Sequence, residues 1–119
     1  DRTQLEQVIL NLVRNGHEAL REAGVLDGQI LIGVARGAAP DEVEFFVADN
    51  GPGIPDDRRY RLFEPLISSK PQGLGLGLAI SASIVQNHHG RIWLASGEQG
   101  RTEFRFAMPY DASREAAHG

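Results

Sequence analysis

A glycine-rich segment at residues 73–77 runs directly into a predicted helix, and it constrains the fold more than any other stretch. Gly73, Gly75 and Gly77 expose backbone N–H groups with no side chain in the way. The first turn of a helix adds unpaired donors at the positive end of the helix dipole, so a phosphate chain can be held there. By itself the motif is equally compatible with a plain helix start or a flexible hinge.

Two familiar phosphate-binding motifs do not fit this segment. A dinucleotide fingerprint would place its third glycine where the chain has Leu78, and the loop follows Ser-Ser-Lys-Pro rather than a strand. The Gly-Lys-Ser/Thr ending of a Walker P-loop is also absent. Any metal site and base pocket must therefore come from other parts of the chain.

The composition of the 119 residues is that of one globular domain. A net charge of −4 argues against a nucleic-acid surface, and the absence of cysteine excludes a disulfide scaffold and a thiolate zinc site. No apolar run approaches the roughly 20 residues that span a bilayer. We therefore expect no nucleic-acid partner, no membrane contact and a cytoplasmic location. Because the chain begins at Asp1 without methionine, we expect it to be a piece of a longer protein.

Hydrophobic periodicity predicts a domain of mixed helices and strands at residues 1–109, followed by a loose tail at 110–119. Gly24 and Gly90 are the predicted helix caps. The first two strands should pair antiparallel, with one face of each packed on the first helix. The predicted helices are 3–23, a short turn at 56–62 and a helix from 75 to 89; the predicted strands are 29–35, 42–48, 91–95 and 102–108.

The first predicted helix carries a polar row beside its apolar stripe. At about 100° per residue, Asn11, Asn15 and Glu18 fall along one edge of that stripe. Asparagine is a mediocre helix residue, and Gly16 costs about 1 kcal/mol relative to alanine. These local penalties at the core margin indicate a function there, although solvated surface asparagines would give the same pattern.

Asp49 ends the second predicted strand and is followed by Gly51 and Gly53. A carboxylate here can accept a hydrogen bond from the exocyclic amine of adenine, and it would repel the carbonyl oxygen of guanine. An ordinary Asp-Asn-Gly-Pro-Gly turn is the alternative. Ahead of the glycines, Lys70 lies in a short loop that could close over the outer phosphates, or it is one more exposed lysine.

Four ordered motifs resemble the N, G1, F and G2 boxes of the catalytic ATP-binding domain of sensor histidine kinases. That domain belongs to the Bergerat ATPase superfamily, with DNA gyrase and the heat-shock chaperones as relatives, and the start of the chain and its short lid are most similar to the oxygen- and nitrogen-sensing branch. The resemblance implies a two-layer α/β sandwich in which a mixed, mostly antiparallel sheet is covered on one face by helices. The motifs are Asn11-x-x-x-Asn15, Asp49-x-Gly51-x-Gly53, Phe63-Glu64-Pro65 and residues 73–78, with a further glycine-threonine box at 97–102.

The same resemblance implies ATP and Mg²⁺ as cofactors. Asn15 would coordinate the magnesium, Asn11 would line the phosphate side as the second catalytic residue, and Asp49 would bind the adenine amine. The implied ATP-binding residues are Asn11, Asn15, Glu18, Asp49, Gly51, Gly53, Ile54, Lys70, Gly73, Leu74, Gly75, Leu76, Gly77, Leu78 and Thr102.

The implied activity is that of a protein-histidine kinase. The acceptor histidine would lie outside this chain, on the dimerisation domain of a homodimeric parent, with a response regulator downstream. Hydrolytic relatives have a glutamate where this chain has Asn11, so ATP should be held for transfer rather than hydrolysed. Two alternatives remain open at this point: a serine kinase of the same fold that acts as an anti-sigma factor, and a noncatalytic ATP-binding regulatory module.

Overall fold

The computed structural model describes residues 2–59, 61–64 and 74–109. The predicted lid at residues 66–71, which includes Lys70, lies outside the described residues, as do Pro65, Gly73 and the predicted tail at 110–119. The elements within the described ranges are α1 (Arg2–Glu22), β1 (Ile30–Arg36), β2 (Glu42–Asp49), α2 (Asp56–Arg59), α3 (Leu74–Asn87), β3 (Arg91–Glu98) and β4 (Arg101–Pro109).

The described strands form one sheet in the order β1-β2-β4-β3. All three pairings are antiparallel, so the parallel component of the expected mixed sheet is not found among these strands. Helices α1 and α3 pack on one face of the sheet and against each other. The predicted α/β sandwich is confirmed.

The core lies between this pair of helices and the inner face of the sheet. Full burial of one large apolar side chain contributes about 1.5–3 kcal/mol, so the cluster fixes how the helices sit on the sheet. Phe45 stacks on Phe106 with ring centroids 4.9 Å apart. The buried cluster consists of Val8, Leu12, Val47, Leu78, Val85, Phe104 and Phe106.

The predicted pairing of the first two strands is confirmed, whereas their predicted packing is only partly right. Ile32 pairs with Val47 and Val34 with Phe45. Ile32 and Val34 are nevertheless 51% and 63% exposed, because β1 is an edge strand and α1 packs mainly over β2. Of the β1 residues predicted to pack on the helix, only Ile30 packs against the core.

The C-terminal ends of the two long helices are set by residues with left-handed backbone conformation. Gly24 has a φ of 69°, and the following residue closes α1 with a backbone hydrogen bond of 3.0 Å, as predicted. The prediction that Gly90 caps α3 is wrong, because His89 takes the left-handed φ of 63°. Gly90 is required for packing instead: a Cβ there would lie 2.2 Å from the carbonyl oxygen of Ala107.

Candidate functional site

Asp49 is the last residue of β2, and its side chain is almost completely buried. Its Oδ1 accepts a hydrogen bond from the N–H of Gly51 at 2.8 Å. Burial raises the pKa of the Asp49 carboxyl above its ordinary value of 3.8, and the Gly51 N–H only partly opposes this shift. Within the described residues Oδ2 accepts no hydrogen bond, so this oxygen can accept one from a ligand.

Two glycines flank the Asp49 carboxylate. A Cβ on Gly51 would lie 2.7 Å from Oδ1, and a Cβ on Gly16 would lie 3.1 Å from Oδ2. Helix α1 therefore approaches the carboxylate so closely that a side chain at position 16 would require Asp49 to shift by a few tenths of an ångström. This contact gives a structural reason for the glycine inside α1. Glycine is unfavourable for helix formation, and the sequence alone does not show why it occurs here.

The loop after Asp49 is fastened to the turn between β3 and β4 by backbone hydrogen bonds. The carbonyl oxygen of Gly51 accepts from the N–H of Gly100 at 2.8 Å, and the N–H of Ile54 donates to the carbonyl oxygen of Gly97 at 2.9 Å. Thr102, also buried, pairs with Asp49 across the strands, so both side chains point to the same face of the sheet. The predicted base-binding residues Asp49, Gly51, Gly53, Ile54 and Thr102 are thus gathered at one end of the sheet.

The predicted loop at residues 96–101 is wrong. Strand β3 continues to Glu98 through an irregularity between Leu94 and Ser96, and only residues 99–100 form the turn. Gly97 consequently pairs with Thr102 inside the ladder. In the sequence, Gly97 and Gly100 are typical of a loop. In the structure, Gly97 lies within the strand at a close contact, and Gly100 adopts a φ of 90° in the turn.

We expect Gly53→Ala to destabilise the domain more than Gly100→Ala does. Both glycines have positive φ, 83° and 90°, so each substitution carries the left-handed strain of about 1–2 kcal/mol. Only at position 53 would the new Cβ also clash, at 2.4 Å from the carbonyl oxygen of Gly97, whereas at position 100 nothing lies within 4 Å. Urea unfolding of both variants measures the difference, and equal losses would show that the loop relaxes away from β3.

The second half of the site lies between α1 and α3, which run antiparallel. His88 Nε2 and Gln4 Oε1 are 2.6 Å apart at one end of the pair, and Asn11 Nδ2 donates to Ser81 Oγ at 3.3 Å farther along. Because a helix rises 1.5 Å per residue, Asn15 lies about 6 Å beyond Asn11 in the direction of the start of α3. The polar row of α1 therefore runs beside the helix N-terminus that the glycine-rich segment enters.

The members of the polar row differ in their hydrogen bonding. Asn11 is engaged on both sides, since Nδ2 also donates to the carbonyl oxygen of Gly77 at 3.4 Å and Oδ1 accepts from Gln7 Nε2 at 3.3 Å. Asn15 is half-buried and has no hydrogen-bond partner among the described residues. Glu18 Oε2 is buried and equally unpartnered within them. Asn15 and Glu18 Oε2 are thus free to meet a ligand, whereas Asn11 Nδ2 already donates within the protein.

The predicted phosphate-binding residues at the start of α3 are placed next to this row. Gly77 contacts Asn11, and the side chain of Leu78 is buried in the core. Leu74, Gly75 and Leu76 form the first turn of α3. A separate cavity of about 410 Å³ is lined by Arg59, Phe63 and residues 92–97 and includes none of the predicted phosphate-binding residues.

Sequence reasoning missed one residue that shapes this site, the buried Ser81 in the middle of α3, because its role appears only in its contact with Asn11. Gly16 was visible as a local anomaly, and Gly97 and Gly100 belong to the glycine-threonine box. The contacts that these three glycines make were not visible in the sequence.

The described residues contain no group of three or more His, Cys, Asp or Glu side chains suited to a metal ion. A metal at the polar row would therefore draw ligands from the free amide oxygen of Asn15 together with the oxygens of a bound phosphate chain. This donor set suits Mg²⁺, which keeps few protein ligands when it binds nucleotides. No helix within the described residues is long and apolar enough to cross a membrane.

Comparison with known proteins assigns the chain to a family. The family model described as histidine kinase-, DNA gyrase B-, and HSP90-like ATPase matches residues 1–112. The chain belongs to this ATPase family. The predicted relationship to the catalytic domain of sensor histidine kinases is confirmed by the relatives and solved structures that this ATPase domain matches.

Two curated relatives of this ATPase domain are sensor proteins. FixL of Bradyrhizobium diazoefficiens is 39% identical over 109 residues, which cover 92% of this chain and 21% of FixL. The sensory histidine kinase/phosphatase NtrB of Rhizobium leguminosarum bv. phaseoli is 41% identical over 129 residues, covering 98% of this chain and 32% of NtrB. The chain thus spans less than a third of the length of either relative.

Among solved structures, the catalytic domain of histidine kinase ThkA superposes with a TM-score of 0.75 at 34% identity. The match covers 92% of this chain and 68% of that one. The fold of this ATPase domain is therefore that of a histidine kinase catalytic domain.

Proposed function

We propose that this ATPase domain binds Mg-ATP and presents the γ-phosphate to a histidine on a dimerisation domain of its parent protein. The observation that supports the proposal is that α1 contacts both of the places that would hold the nucleotide. Gly16 of α1 abuts the Asp49 carboxylate, and the neighbouring Asn15 lies level with the start of α3. A base held at Asp49 would therefore direct its phosphates along the polar row toward the helix N-terminus.

In this proposal the chain's own groups position the nucleotide. Asp49 Oδ2 accepts the adenine amine, and Thr102 and Ile54 close the base end. The backbone N–H groups in the first turn of α3 bind phosphate oxygens, and Asn15 holds the magnesium ion. When bound, magnesium neutralises charge on the phosphate chain. Positioning and charge neutralisation are the main demands of phosphoryl transfer.

We propose that the domain transfers phosphate rather than hydrolysing ATP. The residue one turn before Asn15 is the amide Asn11, which has no useful basicity. Its Nδ2 donates to Gly77 and Ser81 of α3, so Asn11 is part of the contact between the two helices. Slow ATP turnover by the isolated domain is the corresponding expectation.

The remaining parts of the proposal concern the parent protein. We take residues 1–109 as the catalytic domain and 110–119 as a tail. The parent would be a homodimer that supplies the acceptor histidine and passes the phosphoryl group to a response regulator. Its catalytic part would be in the cytoplasm, where ATP is available, and would make no contact with nucleic acid or membrane.

Two measurements test the proposed function. Calorimetric titration of the domain with Mg-ATP should show saturable binding. The parent protein incubated with γ-labelled ATP should then acquire an acid-labile phosphohistidine. No binding heat would refute nucleotide binding, an acid-stable phosphoserine on a partner would favour the anti-sigma type of kinase, and binding without any phosphoprotein would favour a regulatory module.

A further inference from the structure

Ser81 is a fully buried polar residue in the middle of α3 and belongs to none of the four motifs. A buried hydroxyl is costly unless it is hydrogen-bonded. Here Ser81 Oγ accepts from Asn11 Nδ2 of α1, 70 residues away in sequence, at 3.3 Å. Gln7 Nε2 donates to the other end of the same amide at 3.3 Å. We call Gln7, Asn11 and Ser81 the interhelix clasp.

The clasp acts on the start of α3. Besides Ser81, Asn11 Nδ2 donates to the carbonyl oxygen of Gly77 at 3.4 Å, so one amide contacts two successive turns of α3. Two contacts a turn apart fix both the rotation and the axial position of α3 relative to α1. A Cβ at Gly77 would have no atom within 4 Å, so side-chain packing at this position does not hold the turn in place.

The distance between the two helices matters for a bound triphosphate. Asn15 on α1 would hold the metal ion, and the backbone N–H groups in the first turn of α3 would bind the phosphate oxygens. The two must therefore keep a fixed separation, and a misplacement of about 1 Å in such a site can cost about a hundredfold in rate. The clasp lies next to this place and joins the same two helices.

We propose that Ser81 is a positioning residue for phosphate binding. Acting through Asn11, it holds the first turn of α3 at the distance from Asn15 that a metal-bridged triphosphate requires. The inference rests on the proposed function and extends it, because it assigns Asn11 to the support of the phosphate site rather than to direct contact with phosphate.

The test compares Ser81→Ala with Ser83→Ala, which removes an exposed hydroxyl from the same helix. Loss of one hydrogen bond that fixes the site should raise the Kd for Mg-ATP about fivefold in Ser81→Ala and leave it unchanged in Ser83→Ala. The Kd for adenosine, which engages only the base end, should be unchanged in both. Ser81→Cys keeps a polar side chain of the same shape but slightly larger and with a weaker acceptor, and it should reproduce the effect if the alanine variant does not fold.

A double-mutant cycle with Asn11→Ala tests whether Ser81 acts through Asn11. If Ser81 acts through Asn11, the second substitution should add little to the first in Mg-ATP affinity. Unchanged Mg-ATP affinity in folded Ser81→Ala, or an equal loss of adenosine affinity, would overturn the positioning role while nucleotide binding by the unmodified domain stands. Absence of Mg-ATP binding in the unmodified domain would refute the proposed function itself and the positioning role with it.

Discussion

Asp49→Asn should weaken ATP binding by about a hundredfold or more while leaving the domain folded. Asparagine retains an oxygen that can accept the Gly51 N–H, so the local loop keeps its hydrogen bond. Its amide nitrogen would take the place of Oδ2 and direct N–H donors at the ligand. The adenine amine is also a donor, so the two groups would be left unpaired in a buried place, which is the costly outcome.

The same change should shift base preference. Inosine triphosphate has a carbonyl oxygen where ATP has the amine, and it should bind Asp49→Asn better than it binds the unmodified domain. Calorimetric titration with both nucleotides measures the ratio of the two Kd values, and Asp41→Asn, an exposed residue of the β1–β2 connection, is the matched control. Undiminished ATP affinity in Asp49→Asn would refute base recognition by this residue.

Burial of Asp49 also predicts how this substitution affects stability. Because the pKa of Asp49 is raised in the folded state, the folded protein binds this proton more tightly than the unfolded chain does. Ionisation of Asp49 therefore lowers the free energy of unfolding. This loss of stability is absent at pH values below the ordinary pKa of 3.8, and it is complete at pH values above the raised pKa of the folded protein. At pH 7 Asp49→Asn should be at least as stable as the unmodified domain in urea unfolding. In the unmodified domain, ATP affinity should fall as the pH is lowered through the raised pKa.

The sequence predicted the elements and the order of the motifs because both depend on local patterns. Apolar periodicity located α1 and α3, and Asp49 with its glycines pointed to the base end. The contacts that the sequence could not predict join residues that are distant along the chain. Gly16 and Asp49 come into contact only through the packing of α1 on β2, and Asn11 reaches Ser81 across 70 residues.

The wrong predictions have the same physical origin. Alternating apolar residues predict a strand with one buried face. Ile32 and Val34 are nevertheless exposed, because the order of the strands places β1 at an edge of the sheet. Glycine most often occurs in caps and loops, which is what the sequence predicts for Gly90 and Gly97. In the structure Gly90 is required by its close contact with the backbone of Ala107, and Gly97 lies within β3. These features depend on which segment lies next to the residue in space, so they produce no periodic pattern in the sequence.

Asn15→Ala should remove most of the contribution of magnesium to ATP binding. The Asn15 amide has no partner among the described residues and lies level with the start of α3, and amide oxygen is a suitable ligand for a hard cation. We expect the Kd for Mg-ATP to rise about tenfold to a hundredfold, toward the Kd measured for ATP in EDTA. The Kd in EDTA should itself change little, because Asp49 and the α3 N-terminus remain.

Destabilisation cannot account for such a loss, because Asn15 makes no hydrogen bond that holds the described fold and alanine is the better helix former by about 0.5 kcal/mol. Unfolding by urea should thus show equal or higher stability for Asn15→Ala. Asn87→Ala, which removes an exposed amide at the far end of α3, is the matched control and should bind Mg-ATP normally. If Asn15→Ala keeps the same ratio of affinities with and without magnesium, the metal is held elsewhere, and the polar row of α1 serves only to orient the phosphates.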